Sequence, residues 1–72
     1  MPGQVTRVTV KLVFWKRDGK KMSGKFIWKE VVTDIVMGVE YEDRLKKIVG
    51  QVQSEGWKVS WSKYKIVEYH YD

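Results

Sequence analysis

Residues 5–30 read VTRVTVKLVFWKRDGKKMSGKFIWKE, two runs rich in Val, Phe, Ile and Trp on either side of Asp18-Gly19. A Gly directly after Asp supplies the positive φ of a tight reversal, so the stretch predicts a β-hairpin. Its register depends on the loop. A two-residue loop sets Arg17 opposite Lys20 and Leu12 opposite Lys25, mixing lysines into the apolar face. A three-residue loop, a type I turn closed by a left-handed Gly, sets Phe14 opposite Met22, Leu12 opposite Gly24, Val10 opposite Phe26 and Val8 opposite Trp28. Because a slip of one residue exchanges the two faces of a strand, burial selects the second register.

The other face then carries Arg7, Thr9, Lys11, Val13 and Trp15 against Lys29, Ile27, Lys25, Ser23 and Lys21. Lys11 faces Lys25 and Arg7 faces Lys29, and each like-charge pair costs up to roughly 1 kcal/mol. One reason to tolerate that cost is solubility, since lysine on an open sheet face discourages edge-to-edge pairing. The other is binding. Cations at strand spacing around an outward Trp15 offer phosphate contacts and a ring for a base or sugar. The tip adds Lys16, Arg17, Lys20 and Lys21 to the same surface.

Outward from the hairpin, residues 31–39, VVTDIVMGV, are dense in β-branched side chains and read as the end of the second strand followed by a connector. Beyond Glu40, the residues Tyr41, Leu45, Ile48, Val49 and Val52 recur at the spacing of an amphipathic helix. Glu40, Glu42 and Asp43 fall in its first turn, where the helix dipole favours acids, and Gly56 closes it. Gly50, inside the helix, suggests close approach to a neighbour. Trp57, Val59 and Trp61 alternate with Lys58, Ser60 and Ser62 as in a strand, and YKIVEYHYD is strand-like again. A turn at Ser62-Lys63 gives the order β-β-α-β-β; without it the order is β-β-α-β.

The expected fold is α+β, one small domain over residues 1–72, with an antiparallel sheet packed on one helix. The helix covers the face of Val8, Val10, Leu12, Phe14, Phe26 and Trp28. Trp57 and Trp61 belong to the same core, since a chain of 72 residues without cysteine must find its stability in packing or in oligomerisation, and aromatic burial supplies the first. Tyr69 and Tyr71 share a strand face opposite His70.

The charge of +5 is uneven. Residues 1–30 hold +6, residues 31–56 hold −2 and residues 57–72 hold +1. The basic character therefore belongs to the hairpin, which points to a polyanionic partner. KRDGKK has one Gly and precedes no helix, so it matches no nucleotide-binding loop. His70 has no nucleophile or paired carboxylate in a recognisable pattern, and Glu30 balances nearby lysines. No enzyme, metal or cofactor is expected. Asn and Cys are absent while Lys and Glu abound, a bias that resembles thermophile usage. Neither a signal-peptide run nor the roughly 20 apolar residues of a membrane span occurs, so a cytoplasmic protein off the membrane is expected.

The leading functional expectation is a small, basic, nucleic-acid-binding protein, for DNA or RNA, with little sequence preference. Its site is Arg7, Lys11, Trp15, Lys16, Arg17, Lys20, Lys21, Lys25 and Lys29, the cations meeting phosphates and Trp15 stacking. The alternative is a protein-interaction module, a homodimer or small inhibitor, using the open sheet or the tyrosine-rich tail.

Overall fold

The computed structural model describes residues 3–19 and 24–72. Its elements follow the order β-β-α-β-β: β1 (Val5–Asp18), β2 (Lys25–Val36), α1 (Tyr41–Gln53), β3 (Lys58–Val59) and β4 (Lys65–Tyr71), with a 3-10 turn at Trp61–Lys63 between the last two strands. β1 is the centre of the sheet. β2 runs along one side of it, β3 and β4 follow one another along the other, and every pairing is antiparallel.

The hairpin register differs from the one that the turn suggested. Val8 faces Ile35 instead of Trp28, Val10 faces Thr33 instead of Phe26, Leu12 faces Val31 instead of Gly24, and Phe14 faces Lys29 instead of Met22. Among the described residues the last pair of the ribbon is Asp18 with Lys25, farther apart in sequence than the closing pair that a three-residue loop would give. Gly19 does take the positive φ expected of it, +96°. A longer loop is inexpensive, because closure entropy grows only slowly with length. In return the β-branched run Val31–Val36, strand as its composition indicated, pairs with β1, and Ile35 is buried between sheet and helix. The charges improve as well. Lys11 now faces Val32 and Arg7 faces Val36, so neither like-charge pair exists. Instead Arg7 Nε lies 3.2 Å from Asp34 and Lys11 Nζ 3.6 Å from Glu30.

A shift of seven residues is odd, so it turns β2 over. Phe26 and Trp28, expected under the helix, are instead 54% and 55% exposed on the opposite face. Val8, Val10, Leu12 and Phe14 are fully buried as expected. They form two clusters, Val8 and Val10 with Ile35, and Leu12 and Phe14 with Val49, bridged by Leu45, Ile48 and Tyr64. Trp57 and Val59 pack on the second cluster, but Trp61 sits in the 3-10 turn with half its surface exposed. The turn breaks the alternation that placed Trp61 inside. Tyr41 and Tyr64 share a hydrogen bond under the sheet. Burial first, and then that bond and the neighbouring phenols of Tyr64 and Tyr69, push the Tyr41 hydroxyl well above the usual tyrosine range.

Helix α1 carries Glu42 and Asp43 in its first turn and ends through Ser54 to Gly56, whose φ of +96° suits the reversal into β3. Gly50 is exposed, and a methyl group there meets no atom within 4 Å, so no close approach requires it. Gly50→Ala is therefore expected to stabilise the fold by about 0.5–1 kcal/mol through helix propensity and a less flexible unfolded chain. The check is a higher urea midpoint at unchanged slope.

The molecule measures 57 × 19 × 15 Å. The 13 residues of α1 span only about 20 Å, whereas the 14 residues of β1 extend for about 46 Å. Much of the ribbon therefore projects past the helix. No helix among the described residues is long and apolar enough to cross a membrane.

Candidate nucleic-acid interface

Side chains on the projecting ribbon have no core to enter, so they pack on one another. On the face away from the helix, Trp15 and Trp28 are direct partners across β1 and β2, and the Trp15 and Phe26 rings meet edge to face at 5.4 Å. Trp28, Trp15 and Phe26 thus make a short ladder of aromatic rings. Each ring carries a cation. Lys63 Nζ lies 5.5 Å from the Trp28 centroid, Lys58 Nζ 5.2 Å from that of Trp15, and the Arg17 guanidinium carbon 5.8 Å from that of Phe26. Lys58 reaches its ring because β3 pairs it directly with Trp15.

The basic residues expected on one surface are divided between two. Arg7, Lys11, Trp15 and Arg17 belong to the open face, which Trp15 was expected to share with Lys25 and Lys29. In the observed register, those two lysines fall on the β2 face that carries Ile35 and Val31. Lys29 pairs with Glu55 at 3.9 Å, and its ammonium shares the Trp57 ring with that of Lys16, at 5.5 and 4.5 Å. Lys16, Lys25 and Lys29 therefore leave the proposed surface, because the reversal of β2 and the alternation of β1 turn them toward the helix side. Lys20 and Lys21 lie outside the described residues. Lys58 and Lys63 replace the lost cations, and Trp28 and Phe26 add the rings that the sequence reading had assigned to the core.

Nearer the body, the face is balanced. The Arg7–Asp34 and Lys11–Glu30 pairs are joined there by Thr9, which donates to Asp34 Oδ1 at 2.5 Å and contacts His70 Nε2 at 2.7 Å. With the threonine proton directed to the carboxylate, Nε2–H of His70 is the donor to Thr9. This network knits β2, β1 and β4 together, and gives Asp34 and His70 structural partners. Among the described residues, no group of three His, Asp or Glu side chains is placed to hold a metal ion.

Between Trp28 and the 3-10 turn the open face sinks into a groove of about 630 Å³, floored by Val13 and flanked by Lys11, Glu30, Lys63 and Lys65. Val13 is only 7% exposed although it points away from the helix. The Lys63 backbone lies in the 3-10 turn on the β4 side of β1 while its ammonium sits over the Trp28 ring from β2, so this contact spans β1 on the groove that Val13 lines.

Comparison of the chain with protein-family models, with curated proteins and with solved structures finds no match in any of the three.

Proposed function

We propose that this protein binds nucleic acid, without catalysis and with little sequence preference, along the aromatic ladder of its projecting hairpin. The observation that carries the reading is the pairing of Trp28, Trp15 and Phe26 with Lys63, Lys58 and Arg17, one cation to each ring, on one uncovered face. Magnitudes favour exchange at these rings. An exposed cation–ring contact contributes about 0.5–1 kcal/mol, whereas stacking of a base on an aromatic side chain contributes about 1–3 kcal/mol. A base therefore displaces the cation, and the freed ammonium or guanidinium stays beside the backbone to meet phosphate. Ion-paired Arg7 and Lys11 contribute less, since Asp34 and Glu30 already neutralise them.

The test is titration of labelled oligonucleotides by fluorescence anisotropy at several salt concentrations, with the intrinsic Trp emission followed in parallel. Binding is expected at low salt, with Trp quenching and a linear fall of log K against log salt whose slope is about −2 to −4, corresponding to a few released counterions. Absence of binding at low salt overturns the proposal. The protein-interaction reading is favoured by exposed Val32 and Val36 on the edge strand β2. It predicts self-association or partner binding that salt leaves unchanged.

A further inference from the structure

We infer that the groove over Val13 is a subsite for one unpaired nucleotide of a single strand, its base lying on Trp28 in the place of the Lys63 ammonium. The inference rests on the nucleic-acid reading and adds a strand preference to it. Three observations carry it. The groove's volume of about 630 Å³ lies within the range of small-molecule sites, about 300–1,000 Å³, on a ribbon that is otherwise narrow. Its floor is the apolar Val13, and one wall is the half-exposed indole of Trp28, which suits the flat faces of a base.

The rim supplies the edge contacts. Lys11 Nζ and Glu30 Oε1 stand 3.6 Å apart on the groove, a hydrogen-bond donor beside an acceptor. A free base edge presents acceptors beside N–H groups, so it can engage both at once. A base inside a duplex offers neither its faces, which are stacked, nor its pairing edge, which is occupied. Only an unpaired base meets ring and rim together.

Lys63 is the movable part. It is anchored through its backbone in the 3-10 turn, and its contact with Trp28 spans β1. When a base takes the ring, the lysine swings off it while remaining on the groove with Lys65, where both ammonium groups can donate to the nucleotide's phosphate.

The experiment compares wild type with Trp28→Leu and Trp28→Phe, using a single strand of about 12 nucleotides, within the usual range of about 4–16 for one binding domain, and a duplex of the same sequence. Trp28 is half exposed, so both variants are expected to keep the wild-type circular dichroism spectrum. Wild type should prefer the single strand. Trp28→Leu should weaken single-strand binding roughly ten-fold while changing duplex binding less than about two-fold, and Trp28→Phe should restore most of the loss. Single-strand binding unchanged in Trp28→Leu overturns the groove and removes Trp28 from the ladder, leaving the nucleic-acid reading to rest on Trp15 and Phe26. Equal losses for both nucleic acids also overturn it, since Trp28 is then a general contact. If wild type binds neither form at low salt, the groove and the reading beneath it fall together.

Discussion

Phe14→Ala is expected to lower the unfolding free energy by about 3–5 kcal/mol, the usual cost of emptying a buried aromatic site. Phe14 is fully buried, and it packs with Leu12 and Val49 where the sheet meets the helix. A chain of this length has a total stability of only about 4–11 kcal/mol at typical values per residue. The variant should therefore unfold at a much lower urea concentration, or be largely unfolded without denaturant. The companion measurement is Phe26→Ala. Had Phe26 faced Val10 beneath the helix, its truncation would cost as much as that of Phe14. On the open face, 54% exposed and touching Trp15 edge to face, it should cost no more than about 1 kcal/mol. The two urea midpoints together report the register of the hairpin, and equal losses would contradict it.

The second large effect concerns binding. Reversing Arg17, Lys58 and Lys63 to Glu together should weaken nucleic-acid affinity by at least about 100-fold at physiological salt, and reduce the log-log salt slope by about 2, near 0.7 for each lost contact to a single strand. These are the three cations seated on the aromatic ladder. Reversing Lys46 and Lys47, exposed on the helix, should cost less than about five-fold, because they sit on the helix side of the sheet and not on the ladder face, and exposed charges are screened by salt. Comparable losses from the two sets of substitutions would show that affinity follows net charge instead of this face. The helix variant should melt close to wild type, since Lys46 and Lys47 are exposed, whereas the ladder variant loses three cation–ring contacts of about 0.5–1 kcal/mol each and should melt lower while keeping the wild-type circular dichroism spectrum below its transition.

How far the fold could be read from sequence depended on how local each signal was. The apolar alternation of Val8, Val10, Leu12 and Phe14 identified one buried face of β1, and the periodicity of Tyr41, Leu45, Ile48, Val49 and Val52 identified α1 and the side that packs. The break near Ser62 separated β3 from β4. Pairing of β1 with β2 is a relation between distant residues, and there the nearest turn signal misled. Asp18-Gly19 promised a short loop, but burial of Ile35 and the pairing of Val31–Val36 with β1 outweighed it. A cue was present in the charges. Arg7 and Lys11 are four residues apart, as are Glu30 and Asp34, so one antiparallel register brings both opposite-charge pairs within reach at once.

The candidate surface inherited that error in a graded way. Residues on β1 kept their faces, so Arg7, Lys11, Trp15 and Arg17 remained together, while Lys25 and Lys29 on β2 moved to the other side. Trp28 and Phe26 came outward by the same reversal. Lys58 and Lys63 had no local signal at all, because only the antiparallel addition of β3 and the path of the 3-10 turn bring them beside the ladder.

The central position of β1 also has a consequence for how the chain folds. A hairpin closes within about 1–10 μs, using contacts close in sequence. By contrast, β4 reaches β1 across a separation such as the 61 residues between Thr9 and His70, a slow, non-local step. The two ribbon registers bury different residues, and α1 rests on the face that the observed one completes with Ile35 and Val31, while β4 pairs along the other edge of β1. The helix therefore acts as a proofreader of the hairpin. A hairpin that zips first around the short loop has to reopen before the helix can cover Ile35 and Val31, which makes misregistered pairing the natural kinetic trap of this topology.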